Sequence, residues 1–349
     1  MSSPLNHPKS EPIQSVREES AGSRPLKKGG LGLPLEGKRL SSLERCCSVA
    51  RTVEILSDPW SFLVLRECFF GTRRFEKFQS VLGISRTTLA KLLRKLTALG
   101  LLRKDRYSSR PLRFEYRFTE MSRELYPVML ALLKFGDTWL RGESPPPLKL
   151  YHKECGHNCS PLVVCSHCGV EILPRRVHYR DGPGAGSNPR EADRIRSRRV
   201  SDPDSLERGR PCSVARTLLI LGDPWTFLVL RETFFGIRRY EELRTRLGIA
   251  TNILRDRLSR LTEQGILVKR LYQESPERFE YRLTEKGKDF YGPFIAMMRW
   301  GDKWLSGGKP PLRLRHRDCD RDFCAVLVCD HCHQELNPRQ MGFTLNYAL

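Results

Sequence analysis

A mainly α chain with small β-hairpins, assembled from two copies of one domain, is the fold class the sequence predicts, and three observations predict it. First, the stretch RCCSVARTVEILSDPWSFLVLRE from Arg45 to Glu67 returns as RPCSVARTLLILGDPWTFLVLRE from Arg210 to Glu232, with 17 of 21 positions identical between Cys47 and Glu67. An offset of 165 residues is too long for a solenoid unit and has the length of a domain. Second, helical periodicity gives way in each copy to strand-like alternation and then resumes. Third, a Cys/His pattern closes each copy. The chain has 349 residues, room for two ordinary cores.

The elements follow in order. Residues 1–42 are rich in Ser, Pro, Gly and charge, which predicts a disordered tail. Val49, Val53, Ile55 and Leu56 form a short first helix. Asp58-Pro59 starts a second, with Asp as N-cap and Pro at the first helical position. Trp60, Phe62, Leu63, Val64, Leu65 and Phe69 make that helix apolar on nearly every face, so it belongs at the centre of the domain. A short helix over Arg73 to Gly83 and a longer one over Ile84 to Gly100 meet at Gly83-Ile84-Ser85, the signature of a helix-turn-helix, with Ser85 as cap. Leu101 to Tyr107 and Leu112 to Thr119 alternate around Ser108 to Pro111 and predict a hairpin, the wing. Thr119 then caps a long helix from Glu120 to about Gly142, with Pro127 a source of local distortion. The second copy repeats this order.

The fold expected is therefore two winged helix-turn-helix domains, each with a short zinc-ribbon-like C-terminal module. The boundaries are 43–143 and 144–180 for the first copy and its module, and 210–308 and 309–349 for the second. A flexible linker is expected over 181–209; about 30 such residues span roughly 30 Å, near one DNA turn.

Each copy resembles the HxlR family of bacterial winged-helix transcription regulators. The matching features are Cys47 and Cys212 ahead of the first helix and the D-P-W start of the second, where the family usually has G-x-W. Arg74-Phe75-Glu76 and Arg239-Tyr240-Glu241, Gly83-Ile84-Ser85, Leu99-Gly100-Leu101, the hairpin end Phe114 to Thr119, and Phe135-Gly136-Asp137-Thr138-Trp139 complete the set. The resemblance implies DNA-binding regulation, usually by a homodimer joined through terminal helices.

Formal net charge is +21, and the isoelectric point near 9.8 favours a polyanionic partner. Arginine suits guanine and asparagine suits adenine, so residues near the start of the second helix of each helix-turn-helix are candidate base readers. These are Ser85, Arg86, Thr87, Thr88, Lys91 and Arg94 in one copy and Thr251, Asn252, Arg255 and Asp256 in the other. Arg110, Arg113 and Arg278 on the wings would hold phosphates of double-stranded DNA. Solvated polar surface is the alternative for any one of these taken alone. The two reading faces differ: Ser85 becomes Ala250, Arg86 becomes Thr251, Lys91 becomes Asp256 and Arg94 becomes Ser259. An asymmetric operator bound by an intramolecular pseudo-dimer follows, with a homodimer as the other arrangement and repression as the expected outcome.

No apolar run reaches the roughly 18 residues of a membrane span, and the N-terminus lacks a signal-peptide core. A cytoplasmic, nucleoid-associated chain would keep its twelve cysteines mostly reduced, which favours metal or redox chemistry over disulfides. Both tails read H-x2-C-x9-C-x2-C: His152, Cys155, Cys165 and Cys168, then His316, Cys319, Cys329 and Cys332. Such a set suits a structural Zn2+ in each tail, with reduced structural cysteines or a redox pair as alternatives. Cys47 and Cys212 are candidate redox sensors, since a helix N-terminus favours thiolate, although a buried inert role fits their apolar surroundings equally. No phosphate loop, H-E-x-x-H or acid–nucleophile pair is present, so no enzyme activity is expected. A zinc-dependent nucleic-acid-processing factor and a protein-interaction module of the transcription machinery are the competing functions.

Overall fold

The computed structural model describes residues 46–56, 58–186, 210–221 and 223–347. The expected tail over 1–42 and, from residue 187, the expected linker over 181–209 lie outside the described residues; at the start of that linker Asp181 pairs with Leu312, and the Gly182 and Gly184 amides donate to the Pro311 and Pro310 carbonyls. The first copy contains α1 (Ser48–Leu56), α2 (Pro59–Phe69), α3 (Phe75–Leu82), α4 (Arg86–Ala98), the wing strands β1 (Leu102–Ser109) and β2 (Leu112–Phe118), α5 (Glu120–Arg123) and α6 (Tyr126–Trp139). Its tail holds β3 (Leu148–His152), β4 (His157–Asn158), β5 (Pro161–Cys165), a 3-10 turn at Pro174–Arg176 and β6 (Val177–Asp181).

In the second copy the helices are α7 (Ser213–Leu221), α8 (Pro224–Phe234), α9 (Tyr240–Leu247) and α10 (Thr251–Glu263). The wing strands β7 (Leu267–Gln273) and β8 (Arg278–Leu283) follow, then α11 (Glu285–Asp289) and α12 (Tyr291–Trp304). The second tail holds β9 (Leu312–His316), β10 (Arg321–Phe323), β11 (Ala325–Cys329) and β12 (Met341–Leu345). Each copy is a winged helix-turn-helix.

The apolar second helix is indeed central. Phe62, Leu63, Val64 and Leu65 are fully buried, each such side chain contributing about 1.5–3 kcal/mol relative to exposure. Gly83 ends α3 at φ 60°, a left-handed conformation that glycine adopts without a Cβ penalty. Ser85 then accepts from the Thr88 amide at 3.1 Å, capping α4 as expected.

Two local expectations change. Asp58 makes no cap bond to the α2 backbone; its carboxylate accepts from the Ser61 hydroxyl and pairs with Lys95 at 2.7 Å. Its counterpart Asp223 does cap, accepting from the Thr226 amide at 2.7 Å. The expected long helix after the wing is two helices, α5 and α6, because Pro127 in the first turn of α6 supplies no amide to continue the preceding turn. Pro293 does the same between α11 and α12.

The two copies pack by exchange. Helix α1 of the first copy lies on α12 of the second, and α7 of the second lies on α6 of the first, while α6 and α12 also meet. A Cβ on Gly136 would sit 2.2 Å from the Ser213 carbonyl oxygen, and one on Gly301 would sit 2.5 Å from that of Ser48. Thr217 Oγ1 donates to the Leu132 carbonyl at 2.9 Å, and Thr52 Oγ1 to the Met297 carbonyl at 3.1 Å. Phe135 and Phe290 stack at 3.7 Å between ring centroids. The glycine and threonine contacts thus repeat on both sides of the junction.

The tails exchange strands too. β12 pairs with β3, β6 pairs with β9, and β5 pairs with β11, all antiparallel.

Candidate nucleic-acid interface and metal centres

The start of α4 presents Ser85, Arg86, Thr87, Lys91 and Arg94 to solvent, with Thr88 half-buried. Ser85 and Thr88 hydroxyls lie 2.9 Å apart and serve the cap, so Arg86, Thr87, Lys91 and Arg94 form the reach of this helix. The Arg86 guanidinium also stands over the Phe75 ring of α3, 5.3 Å from its centroid. On α10, Thr251, Asn252 and Arg255 are exposed. Asp256 is half-buried and bound to Arg257 and Arg260, the latter at 3.1 Å, so its charge is spent within the helix rather than offered outward. Arg257 in turn holds Asp223 at 2.6 Å, fastening α10 to the head of α8.

Each wing is tied to the start of the third helix of its copy. The Tyr116 amide donates to the Arg73 carbonyl, and the Tyr281 amide to the Arg238 carbonyl, both at 2.8 Å. Arg74 covers the Tyr107 ring and Arg239 the Tyr272 ring, at 4.9 and 4.7 Å. Arg110, Arg113 and Arg278 are exposed on the wings, flanked by Lys104 over Phe114 and Lys269 over Phe279. A cationic hairpin beside a helix of polar tips suits phosphate contact plus base reading.

The Cys/His residues gather differently from expectation. The sequence spacing suggests one site per tail, yet His152 and Cys155 of the first tail meet Cys329 and Cys332 of the second. Cys165 and Cys168 likewise meet His316 and Cys319. The cause is the strand exchange, which carries each C-x2-C turn to the histidine-bearing strand of the other tail. In the first cluster, His152 Nδ1 is 3.4 Å from Cys155 Sγ and 3.3 Å from Cys332 Sγ, and Cys155 Sγ is 3.9 Å from Cys329 Sγ. In the second, His316 Nδ1 is 3.3 Å from Cys168 Sγ and 3.7 Å from Cys319 Sγ, with Cys165 and Cys319 Sγ atoms 3.9 Å apart. Either cluster could hold a metal ion.

Cys47 and Cys212 sit just ahead of α1 and α7. Each lies beside the buried arginine of the other copy, Cys47 beside Arg231 and Cys212 beside Arg66. Those arginines belong to buried ion pairs: Glu67 with Arg66 and Arg210, and Glu232 with Arg231 and Arg246, each at 3.1 Å. Burial raises the Cys212 thiol above its ordinary value against the opposing pull of Arg66 and the Val214 and Ala215 amides. At neutral pH Cys212 is therefore a thiol.

Sequence reasoning passed over the junction carboxylates. Asp137 accepts from the Ser213 hydroxyl and Asp302 from the Ser48 hydroxyl. Burial raises both to about 6 against these hydrogen bonds and nearby arginines. The signal was available, because Gly-Asp recurs at the same place in both copies, 136–137 and 301–302.

Residues 55–144 and 220–309 each match the family described as HxlR-like helix-turn-helix. Two Mycobacterium tuberculosis proteins, the uncharacterized HTH-type transcriptional regulators MT3179 and Rv3095, are 45% and 44% identical over 137 residues, 39% of this chain and 87% of each relative. The uncharacterized HTH-type transcriptional regulator sll1512 of Synechocystis is 41% identical over 99 residues, 28% of this chain and 73% of the relative.

Proposed function

This chain belongs to the HxlR-like helix-turn-helix family of DNA-binding transcription regulators, and from that footing we propose that it is a repressor whose two unlike reading heads act as one intramolecular pair on an asymmetric operator. The observation that carries this reading is the reciprocal packing of α1 on α12 and α7 on α6, which joins the heads through equivalent contacts while α4 and α10 present different side chains. Arg86, Thr87, Lys91 and Arg94 read one half-site, and Thr251, Asn252 and Arg255 read the other. Arg110, Arg113 and Arg278 contact phosphates. The chain works at the nucleoid and carries out no catalysis.

The tail clusters hold Zn2+ in a structural role under this reading. Four protein ligands leave no open position for a substrate, which separates such a site from a hydrolytic one.

Hydroxyl-radical footprinting on operators selected from random DNA tests the proposal. One chain protecting two unlike half-sites about one helical turn apart supports it. Protection of a palindrome by two chains contradicts it.

A further inference from the structure

The geometry points to a pair of zinc ions that cross-link the two copies, each ion taking a histidine and a cysteine from one tail and two cysteines from the other. This rests on the reading that the tails hold Zn2+, and goes beyond it in assigning the ligands of each ion across the repeat.

Distances come first. Zn–S bonds of about 2.3 Å and Zn–N bonds of about 2.05 Å at tetrahedral angles place sulfurs roughly 3.8 Å apart and sulfur and nitrogen roughly 3.6 Å apart. The cross-tail pairs match this: 3.9 Å for Cys155 with Cys329 and for Cys165 with Cys319, and 3.3 Å for Cys332 with His152 and for Cys168 with His316. All the ligand atoms of each group lie within 4.8 Å of one another.

Burial is the second observation. His152 and His316 are fully buried. Each directs Nδ1 at thiols; neither Nε2 makes a hydrogen bond, and that of His316 stands 3.6 Å from a carboxylate oxygen of Asp318. Buried imidazole against three thiols is a poor hydrogen-bonding arrangement, since sulfur is a weak acceptor. With thiolates and a metal at Nδ1, the same packing becomes a tetrahedral site in which the ion offsets two of the three thiolate charges.

Topology is the third. In the β5–β11 pair, Cys165 lies opposite Ala325 and Cys329 opposite Pro161. The two C-x2-C turns therefore start at opposite ends of one five-residue ribbon, roughly 13 Å apart. Beyond each turn the chain crosses to the other tail, where β12 sets Met341 opposite His152 and β6 sets Val177 opposite His316. Each H-x2-C pair thus faces the other tail's C-x2-C pair, and two ions at the ends of the ribbon would bolt the copies together beyond the α1–α12 and α7–α6 contacts.

Paired substitutions in the full-length chain separate shared from self-contained sites. Native mass spectrometry after chelator challenge should count two zinc ions in the unsubstituted chain. C155S/C329S removes two ligands of one ion and should leave one ion. C155S/C165S removes one ligand from each and should leave none under the same challenge. The reverse pattern, one ion kept by C155S/C165S and none by C155S/C329S, would overturn the sharing while leaving zinc binding intact. No zinc in the unsubstituted chain overturns both readings. The unsubstituted chain loaded with cadmium-113 gives a check that needs no variant. Correlations of one cadmium with the β-protons of Cys155, Cys329 and Cys332 support the sharing; correlations with Cys155, Cys165 and Cys168 refute it.

Discussion

The Gly136→Ala substitution places a methyl group where helix α6 touches α7. Its Cβ would lie 2.2 Å from the Ser213 carbonyl oxygen, 2.8 Å from the carbonyl carbon and 2.9 Å from the Ser213 Cβ. The nearest atoms are backbone, so no rotamer change relieves the clash. Restoring ordinary contact opens the crossing by roughly 1 Å, stretching the Ser213–Asp137 and Thr217–Leu132 hydrogen bonds made across it. Overpacking of this kind costs about 1–3 kcal/mol, and one weakened buried hydrogen bond adds about 1 kcal/mol. A fall in Tm of roughly 5–10 °C follows for a unit of this size. Gly301→Ala, 2.5 Å from the Ser48 carbonyl oxygen, should behave alike. Gly342→Ala is the control, since its nearest neighbours stand at 3.7 Å, and should shift Tm little. Thermal unfolding of the three variants, paired with binding to operators of altered half-site spacing, reads both consequences. Unfolding within 1 °C of the unsubstituted chain, with spacing preference unchanged, would refute the claim that this crossing fixes the two heads.

Further predictions concern the reading faces, the junction carboxylates and the half-buried Cys212 thiol. Arg86→Ala should weaken operator binding by about 1–3 kcal/mol and relax preference at one base pair of one half-site, while Asn252→Ala does so in the other half; equal effects in both halves from either variant would contradict the assignment. Arg113→Gln should weaken all sequences alike and reduce the salt slope by about one, measured by titration at several salt concentrations. Asp137 and Asp302 keep their protons to about pH 6 in the folded chain against an ordinary 3.8. Between about pH 4 and 6 the native state therefore binds more protons than the unfolded one, so their contribution to stability declines as pH rises through that window. The double variant Asp137→Asn with Asp302→Asn should gain on the unsubstituted chain as pH rises from 4.5 to 7 in urea denaturation. A constant difference would contradict the raised values. Cys212, half-buried with its thiol raised above the ordinary value, should react with iodoacetamide at pH 7 more slowly than a free cysteine, as followed by mass spectrometry of its peptide; labelling at the rate of a free thiol would contradict the raised value.

The local parts of this fold were legible because local chemistry decides them. Phe62 to Leu65 are apolar all round and become fully buried; Gly83 and Ser85 mark a turn and a cap that both form. The exchange between copies was not legible. Periodicity in α1 shows that one face must be covered, and it is silent about whether α6 or α12 covers it. The tails pose the same ambiguity more sharply. His152 and Cys155 find identical ligand types in Cys165–Cys168 and in Cys329–Cys332, so spacing alone cannot choose between partners. The strand pairing of β3 with β12 makes that choice. Asp256 shows a third limit: its place on α10 marked it as a reader, but Arg257 and Arg260 within reach on the same helix claim its charge.

The central claim is that one chain places two unlike reading heads on a single DNA site. Determining the mass of the complex on an operator selected from random DNA, together with the sequence of that operator, tests it most directly. The account predicts one chain per duplex on a site of two dissimilar halves, with Arg86→Ala and Asn252→Ala each altering a different half. Two chains on a perfect palindrome, with both variants altering the same half-site sequence, would contradict it.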